Sequence, residues 1–291
     1  MKPQVRGGGY SALSAILFGL IPILCLSIYD NGGDPATITC IRALVAAVVH
    51  GFWLRKNGGT WRVTRQEGIC LLLTAVLGIT ATDLLLSMSY EYIPGGLATT
   101  LHFIYPVACV LVESLLFRER MSVTAKFSLV LVMSGIILFS GRNLTFRPIG
   151  VAIALLSGLC YTFYLVMVAR SPLQHMDSGK ILFYISVVEA MVTGGLAAGK
   201  GFPQMNAKAW GMAILLALLV NVAAGLLLQR GIREVGLTTA SMLSTLEPLT
   251  SVVAGVLLCG DRFGLPEMAG CLMVCVGIIL IFRKDKSSVP S

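Results

Sequence analysis

The sequence predicts an all-α, polytopic membrane protein of ten transmembrane helices, built as two inverted five-helix repeats. Three observations carry this prediction. Aliphatic, aromatic and cysteine residues make up 56% of the 291-residue chain and charged residues only 12%, about half the charged share of an average soluble domain. The apolar residues fall into ten runs of roughly 17 to 23 residues, each long enough to cross a hydrocarbon core as a helix. The chain also aligns with itself when slid by 142 residues.

In order, the spans lie at about 10–28, 35–54, 67–89, 95–116, 122–140, 149–169, 178–198, 208–230, 236–258 and 266–282. The first follows a short basic segment, as a signal peptide would. Its length of about 19 residues and the lack of a small-x-small cleavage site make it a retained span. Spans 2 and 3 each enclose a charge, Arg42 and Asp83, and span 4 carries His102, Tyr105 and Pro106. Span 5 carries one charge, Lys126, near its start. Span 6 holds Tyr161 and Tyr164, span 7 Glu189, span 8 Asn221, and span 9 the adjacent Glu247 and Pro248; span 10 carries Cys271 and Cys275 on one helix face. The longest loops are about a dozen residues, so no extramembrane domain is expected.

Net charge is +8, but a nucleic-acid footprint clusters its cations on one soluble face among aromatic residues. Here they sit in short loops. With both termini on one side, that side collects sixteen Lys and Arg and the other five, with Arg42 inside a span. The positive-inside rule then places both termini in the cytoplasm, which for a chain of this kind means the cytoplasmic (inner) membrane.

At the 142-residue offset, Ala98 to Phe139 aligns with Ala240 to Ile281 without a gap and 12 of the 42 positions are identical. Pro106 meets Pro248, Arg120 meets Arg262, Glu119 meets Asp261, and "GIIL" at Gly135 meets "GIIL" at Gly277. "DLLL" from Asp83 meets "GLLL" from Gly225. The halves are 1–141 and 142–291. Five is an odd number, so the second half enters the membrane from the opposite side. In secondary transporters such inverted repeats place the substrate site near the midplane between them.

Several units are similar to those of a known family. Phe18-Gly19 in span 1, Arg42 in "CIRALVAA", "GLATTLHFIYPVACVLVESLLFRERMS" and its echo beginning "GLTTASMLSTLEPLTSVVAG" resemble the EamA-type branch of the drug/metabolite transporter superfamily. Two positions depart from the family pattern: Phe18 stands where Trp is frequent, and Asp261 where Glu is. The resemblance covers nearly the whole chain. It implies a carrier working by alternating access, in a family whose members carry amino acids, other metabolites, nucleotides and drugs. It also implies that span 7 is less central to the pathway, so that Glu189 is structural or gating.

An ionisable group at the bilayer centre costs about 2.5–3.5 kcal/mol on insertion scales, so each should face a partner or a wet cavity. At about 1.5 Å per residue, Glu247 lies near the midplane, and its repeat equivalent is Tyr105. Pro248 and Pro106 give no backbone hydrogen bond to Ser244 and His102, leaving those carbonyls spare. Ala240, Ser244, Glu247 and Ser251 form one small, polar face of span 9, matched in span 4 by Ala98, His102, Tyr105 and Cys109. Arg42 and Asp83 sit at similar depth and can pair. Asn221 aligns with Ile79, one turn from Asp83, and should point inward. Glu113, toward the cytoplasmic end of span 4, is expected to snorkel toward Arg118 or Arg120.

The expected substrate-binding set is therefore Glu247, Ser244, Tyr105, His102, Asp83, Asn221, Tyr161 and Tyr164, with Phe18 beside the tyrosines. Pro106, Pro248, Arg42 and Glu189 are structural or gating. Glu247 either binds a substrate's cationic group, such as an amino acid's ammonium, or carries protons. The expected partners are a small-molecule substrate and membrane lipid, with no nucleic acid, and the chain works as a monomer or weak homodimer. An integral membrane enzyme would need a catalytic cluster, whereas His50, His102 and His175 are scattered and no HExxH or GxSxG is present. A channel would expose a repeated selectivity element. No cofactor or metal is expected: the eight cysteines lie in spans or at their ends without a CxxC pair and read as small packing residues.

Overall fold

The computed structural model describes residues 3–89, 92–93, 95–118, 123–139 and 147–254, with isolated positions between 257 and 280. Most of the tenth predicted span lies outside them, as do Glu119, Arg120, Asp261, Arg262, Cys259, Cys271 and Cys275. Among the described residues the chain is all-helical, and six helices are long and apolar enough to cross a membrane.

The first span is two helices, α1 (Pro3–Phe18) and α2 (Ile21–Tyr29), separated at Gly19 and Leu20. Span 2 is α3 (Pro35–Lys56), started by Pro35 and by Asp34, whose carboxylate accepts from the Ala36 and Thr37 amides at 3.0 and 3.2 Å. Span 3 begins at α4 (Arg65–Leu73), where Thr64 and Glu67 form a reciprocal capping box. It passes through a π-helical segment, Thr74–Thr80, into α5 (Ala81–Ser89). Span 4 is broken into α6 (Gly95–His102) and α7 (Tyr105–Leu116), and then comes α8 (Val123–Phe139).

The second half repeats the plan with α9 (Pro148–Arg170) and α10 (Ser178–Lys200), the latter capped by Asp177. Then come α11 (Ala207–Leu216), capped by Asn206, a second π-helical segment at Ala217–Ala224, and α12 (Gly225–Leu243). Inside α12, Gly236 takes φ 82°, which only glycine adopts cheaply, and so separates span 8 from span 9. The last element among the described residues is α13 (Leu246–Ala254).

Periodicity predicts plain helices for spans 3 and 8, yet both contain a π segment. Shifted by 142 residues, the first overlays the second almost fully. A π turn holds an extra residue and so rotates the next stretch of helix about its axis, and such turns gather at functional sites.

The packing is swapped between halves. α1 lies along α12 and touches α13, whereas α9 lies against α5, α6 and α7. α3 and α10 pair along their lengths as a central brace. Two bundles result, each made from both halves: spans 1, 8 and 9, and spans 6, 3 and 4. Matching glycines seat them. A Cβ on Gly7 would lie 2.5 Å from Glu234 Cβ, and one on Gly150 would lie 2.7 Å from Tyr92 Cβ. Glu234 and Tyr92 are themselves 142 residues apart.

Ion pairs fasten both bundles at the end of the molecule richest in cations, called here the basic face. Arg6 meets Glu234 at 2.7 Å, and Arg170 grips Glu113 through two nitrogens while its guanidinium lies 4.9 Å from the Phe117 ring centre. Glu113 therefore does not snorkel. Its side chain is 3% exposed and paired to a helix 57 residues on. Large apolar side chains such as Val48, Leu115, Leu116 and Val130 line the outside, while Arg42, Glu113, Glu189 and Gln229 are buried, the arrangement a lipid solvent imposes.

Candidate functional site

The broken helices bring the site together. At the α6–α7 joint, Ile104 N–H donates to Leu101 O at 3.1 Å; at the α12–α13 joint, Thr245 N–H donates to Met242 O at 3.3 Å and Glu247 N–H to Ser244 O at 3.0 Å. Both joints are tightened by three-residue turns. The Ser244 carbonyl, expected to be spare, is occupied. Each joint is also met by a glycine of the span crossing it. A Cβ on Gly158 would stand 2.5 Å from the His102 carbonyl oxygen, and one on Gly19 would stand 2.7 Å from that of Glu247. Ser251 Oγ adds a 2.8 Å bond to Gly19 O.

Between the bundles and the brace lies a cavity of about 130 Å³. One wall carries Arg42, Asp83, Glu189 and Asn221. Arg42 Nε donates to Asn221 Oδ1 at 2.9 Å, and its terminal nitrogen stands 3.7 Å from Asp83 Oδ2. Asn221 and Arg42 come from opposite halves, 179 residues apart. Glu189 is 1% exposed, has Asp83 and Arg42 as electrostatic neighbours, and its Oε1 lacks a hydrogen-bond partner among the described residues. The structure thus sets Glu189 on the wall, in one polar cluster with the other three.

The facing wall carries Phe18, His102, Tyr161, Tyr164 and Glu247. His102 Nδ1 lies 2.9 Å from Ser157 Oγ. The Tyr161 ring links its neighbours, with centroids 5.6 Å from His102, 4.8 Å from Tyr105 and 5.6 Å from Tyr164. Tyr105 packs behind this surface and Ser244 turns back to Ala240 O at 3.1 Å, so neither borders the cavity. Pro106 and Pro248 are buried at the joints.

Sequence reasoning passes over Thr82, Thr99 and Ser186, which also border the cavity. The signal is present: Thr99 precedes His102, and Ser186 precedes Glu189, by three residues, one helical turn. No group of three metal-ligating side chains occurs among the described residues. Carboxylates, a guanidinium, an amide and aromatic faces can hold a small polar or cationic molecule, and both walls are assembled from elements of opposite halves.

Comparison with known proteins adds three findings. The profile of the EamA-like transporter family matches residues 6–141 and again 148–283. The chain is 23% identical to the uncharacterized transporter YcbK of Bacillus subtilis over 93% of both chains, and 25% identical to an uncharacterized transporter of Archaeoglobus fulgidus over 94% of both. It is 26% identical to the uncharacterized inner membrane transporter YicL of Salmonella typhimurium over 92% of both. A solved crystal structure superposes with a TM-score of 0.85 over 97% of this chain and 99% of its own at 13% identity, a likeness of fold.

Proposed function

Because the chain belongs to the EamA-like transporter family, we propose that this multi-pass membrane protein is a secondary transporter that exports small metabolites bearing a cationic group, amino acids among them, across the cytoplasmic membrane. In this reading ten spans form two inverted repeats, both termini are cytoplasmic, and the halves give alternating access to the central cavity. One observation carries it: a cavity walled by Arg42, Asp83, Asn221 and Glu189 on one side and by Glu247 with His102, Tyr161 and Tyr164 on the other. Glu247 neutralises the substrate cation, or exchanges it for a proton, and the Arg42 cluster orients the remainder.

Ser244, Tyr105, Pro106 and Pro248 act one layer back, by shaping the two joints. The test is counterflow in proteoliposomes with a panel of amino acids and amines at two pH gradients, comparing the parent with Glu247→Gln. Saturable exchange that the variant loses is the expected result. Unchanged rates and unchanged pH response for every transported compound would remove Glu247 from the mechanism.

A further inference from the structure

The two ends of the cavity are closed differently. Toward the basic face a single apolar cluster takes residues from both bundles: Leu228, Ile232 and Leu243 from the first interlock with Tyr105, Cys109 and Tyr164 from the second. Toward the opposite face the clusters are separate. Ile28, Leu216 and Val220 pack with α3 in one, and Ile93, Ala98 and Ala154 form another. Among the described residues, no buried cluster at that end joins the two bundles. Ile21, Pro22, Leu86 and Thr99 border the cavity there. Among the described residues, the buried apolar packing that joins the two bundles lies toward the basic face.

Of the polar bonds that cross the seal, among them that of Arg233 to the Met176 carbonyl, one reaches the cavity wall. Gln229 Nε2 donates to Tyr164 Oη at 3.2 Å, from α12 to α9, and Tyr164 is at once part of the cavity wall. Gln229 is 0% exposed, and its Oε1 has no hydrogen-bond partner among the described residues. An amide buried in this way makes one bond where water would offer several, so the closed seal is specified without being locked. The repeat does not reproduce it. At the 142-residue offset Gln229 corresponds to Ser87 and Tyr164 to Pro22; at the 143-residue offset set by Gly7 and Gly150, Tyr164 corresponds to Ile21. Neither Pro22 nor Ile21 has a hydroxyl to receive an amide.

We propose that Tyr164 and Gln229 form the polar pin of a gate that closes the cavity toward the basic face, and that the opposite gate has no such pin. The pin reads the cavity directly, because a molecule against Tyr164 touches one of its two halves. The inference rests on the alternating-access reading above. Two native thiols report on it: Cys109 is wholly buried in the seal beside Thr162 and Ser241, and Cys25 is half-buried toward the opposite face, with Arg42 and Asp83 as neighbours.

The experiment is site-resolved alkylation of Cys109 and Cys25, followed by mass spectrometry, in the full-length protein. Tyr164→Phe leaves the buried amide without any partner and should speed Cys109 labelling about two- to tenfold, the worth of one net hydrogen bond, while Cys25 labelling slows. The double variant Tyr164→Phe with Gln229→Leu removes the unpartnered amide and puts apolar groups at both pin positions, and should return Cys109 to the parent rate or below. Unchanged Cys109 labelling in Tyr164→Phe, faster labelling of both thiols, or a double variant as fast as the single would overturn the proposal. No substrate enters this measurement, so a parent protein without counterflow would defeat the transport reading and leave the gate tested on its own.

Discussion

The two swapped bundles share a backbone plan and differ in chemistry. In each, a proline-broken span is met by a glycine, Gly19 for one joint and Gly158 for the other, and an ion pair closes the basic end. At the corresponding joints, however, one bundle sets Glu247 on the cavity wall, and the other sets Tyr105 behind it with His102 tied to Ser157. Their ion pairs differ too: Arg6 is 53% exposed, whereas Glu113 is 3% exposed. Close backbone packing tolerates little change, because a methyl group at either glycine collides with a carbonyl. The side chains on the wall are free to diverge, and the division of labour lies there.

Substitutions can break or sharpen this contrast. The largest effect is expected at the buried ion pair, where Glu113→Ala should cost about 3 kcal/mol, at the lower end for a buried pair because Arg170 keeps some contact with solvent; a lowered Tm in detergent checks it. Next comes the joint chemistry. Glu247→Gln should cut transport about ten- to a hundredfold, the worth of a hydrogen bond to a charged group, while its counterpart Tyr105→Phe should change it less than about threefold; initial rates in proteoliposomes measure both. If the two losses were equal, the bundles would share the work after all.

Gly19→Ala and Gly158→Ala should each destabilise by about 1–3 kcal/mol, as overpacking does, and by similar amounts in the two bundles; a large inequality in Tm would show that one joint can yield. The smallest effect belongs to Arg6→Gln, expected to lower Tm least of all and to lose even that difference in high salt, since the pair it breaks is exposed.

Much of this plan is legible in the sequence because lipid imposes simple rules. Apolar length marks the spans, Pro106 and Pro248 mark the joints, and matching depth brings Arg42 to Asp83, which the structure holds at 3.7 Å. What escapes depends on which helices become neighbours. Arg170 with Glu113, and Arg42 with Asn221, are paired across 57 and 179 residues; charge and periodicity alone offer Arg118 as an equally good partner for Glu113. The π segments escape because an inserted residue in a uniformly apolar run leaves no trace in composition. Sequence alone makes Glu189 structural or gating, while the packing of α10 along α3 carries it into the cluster around Arg42.

The swap of α1 and α9 between halves has a consequence for how the chain can be divided. Severed between the halves, each fragment would carry a helix whose seat is on the other, with Gly7 and Gly150 left facing nothing. Such fragments should be inert when produced singly and regain activity only when made together, as complementing pieces of one machine.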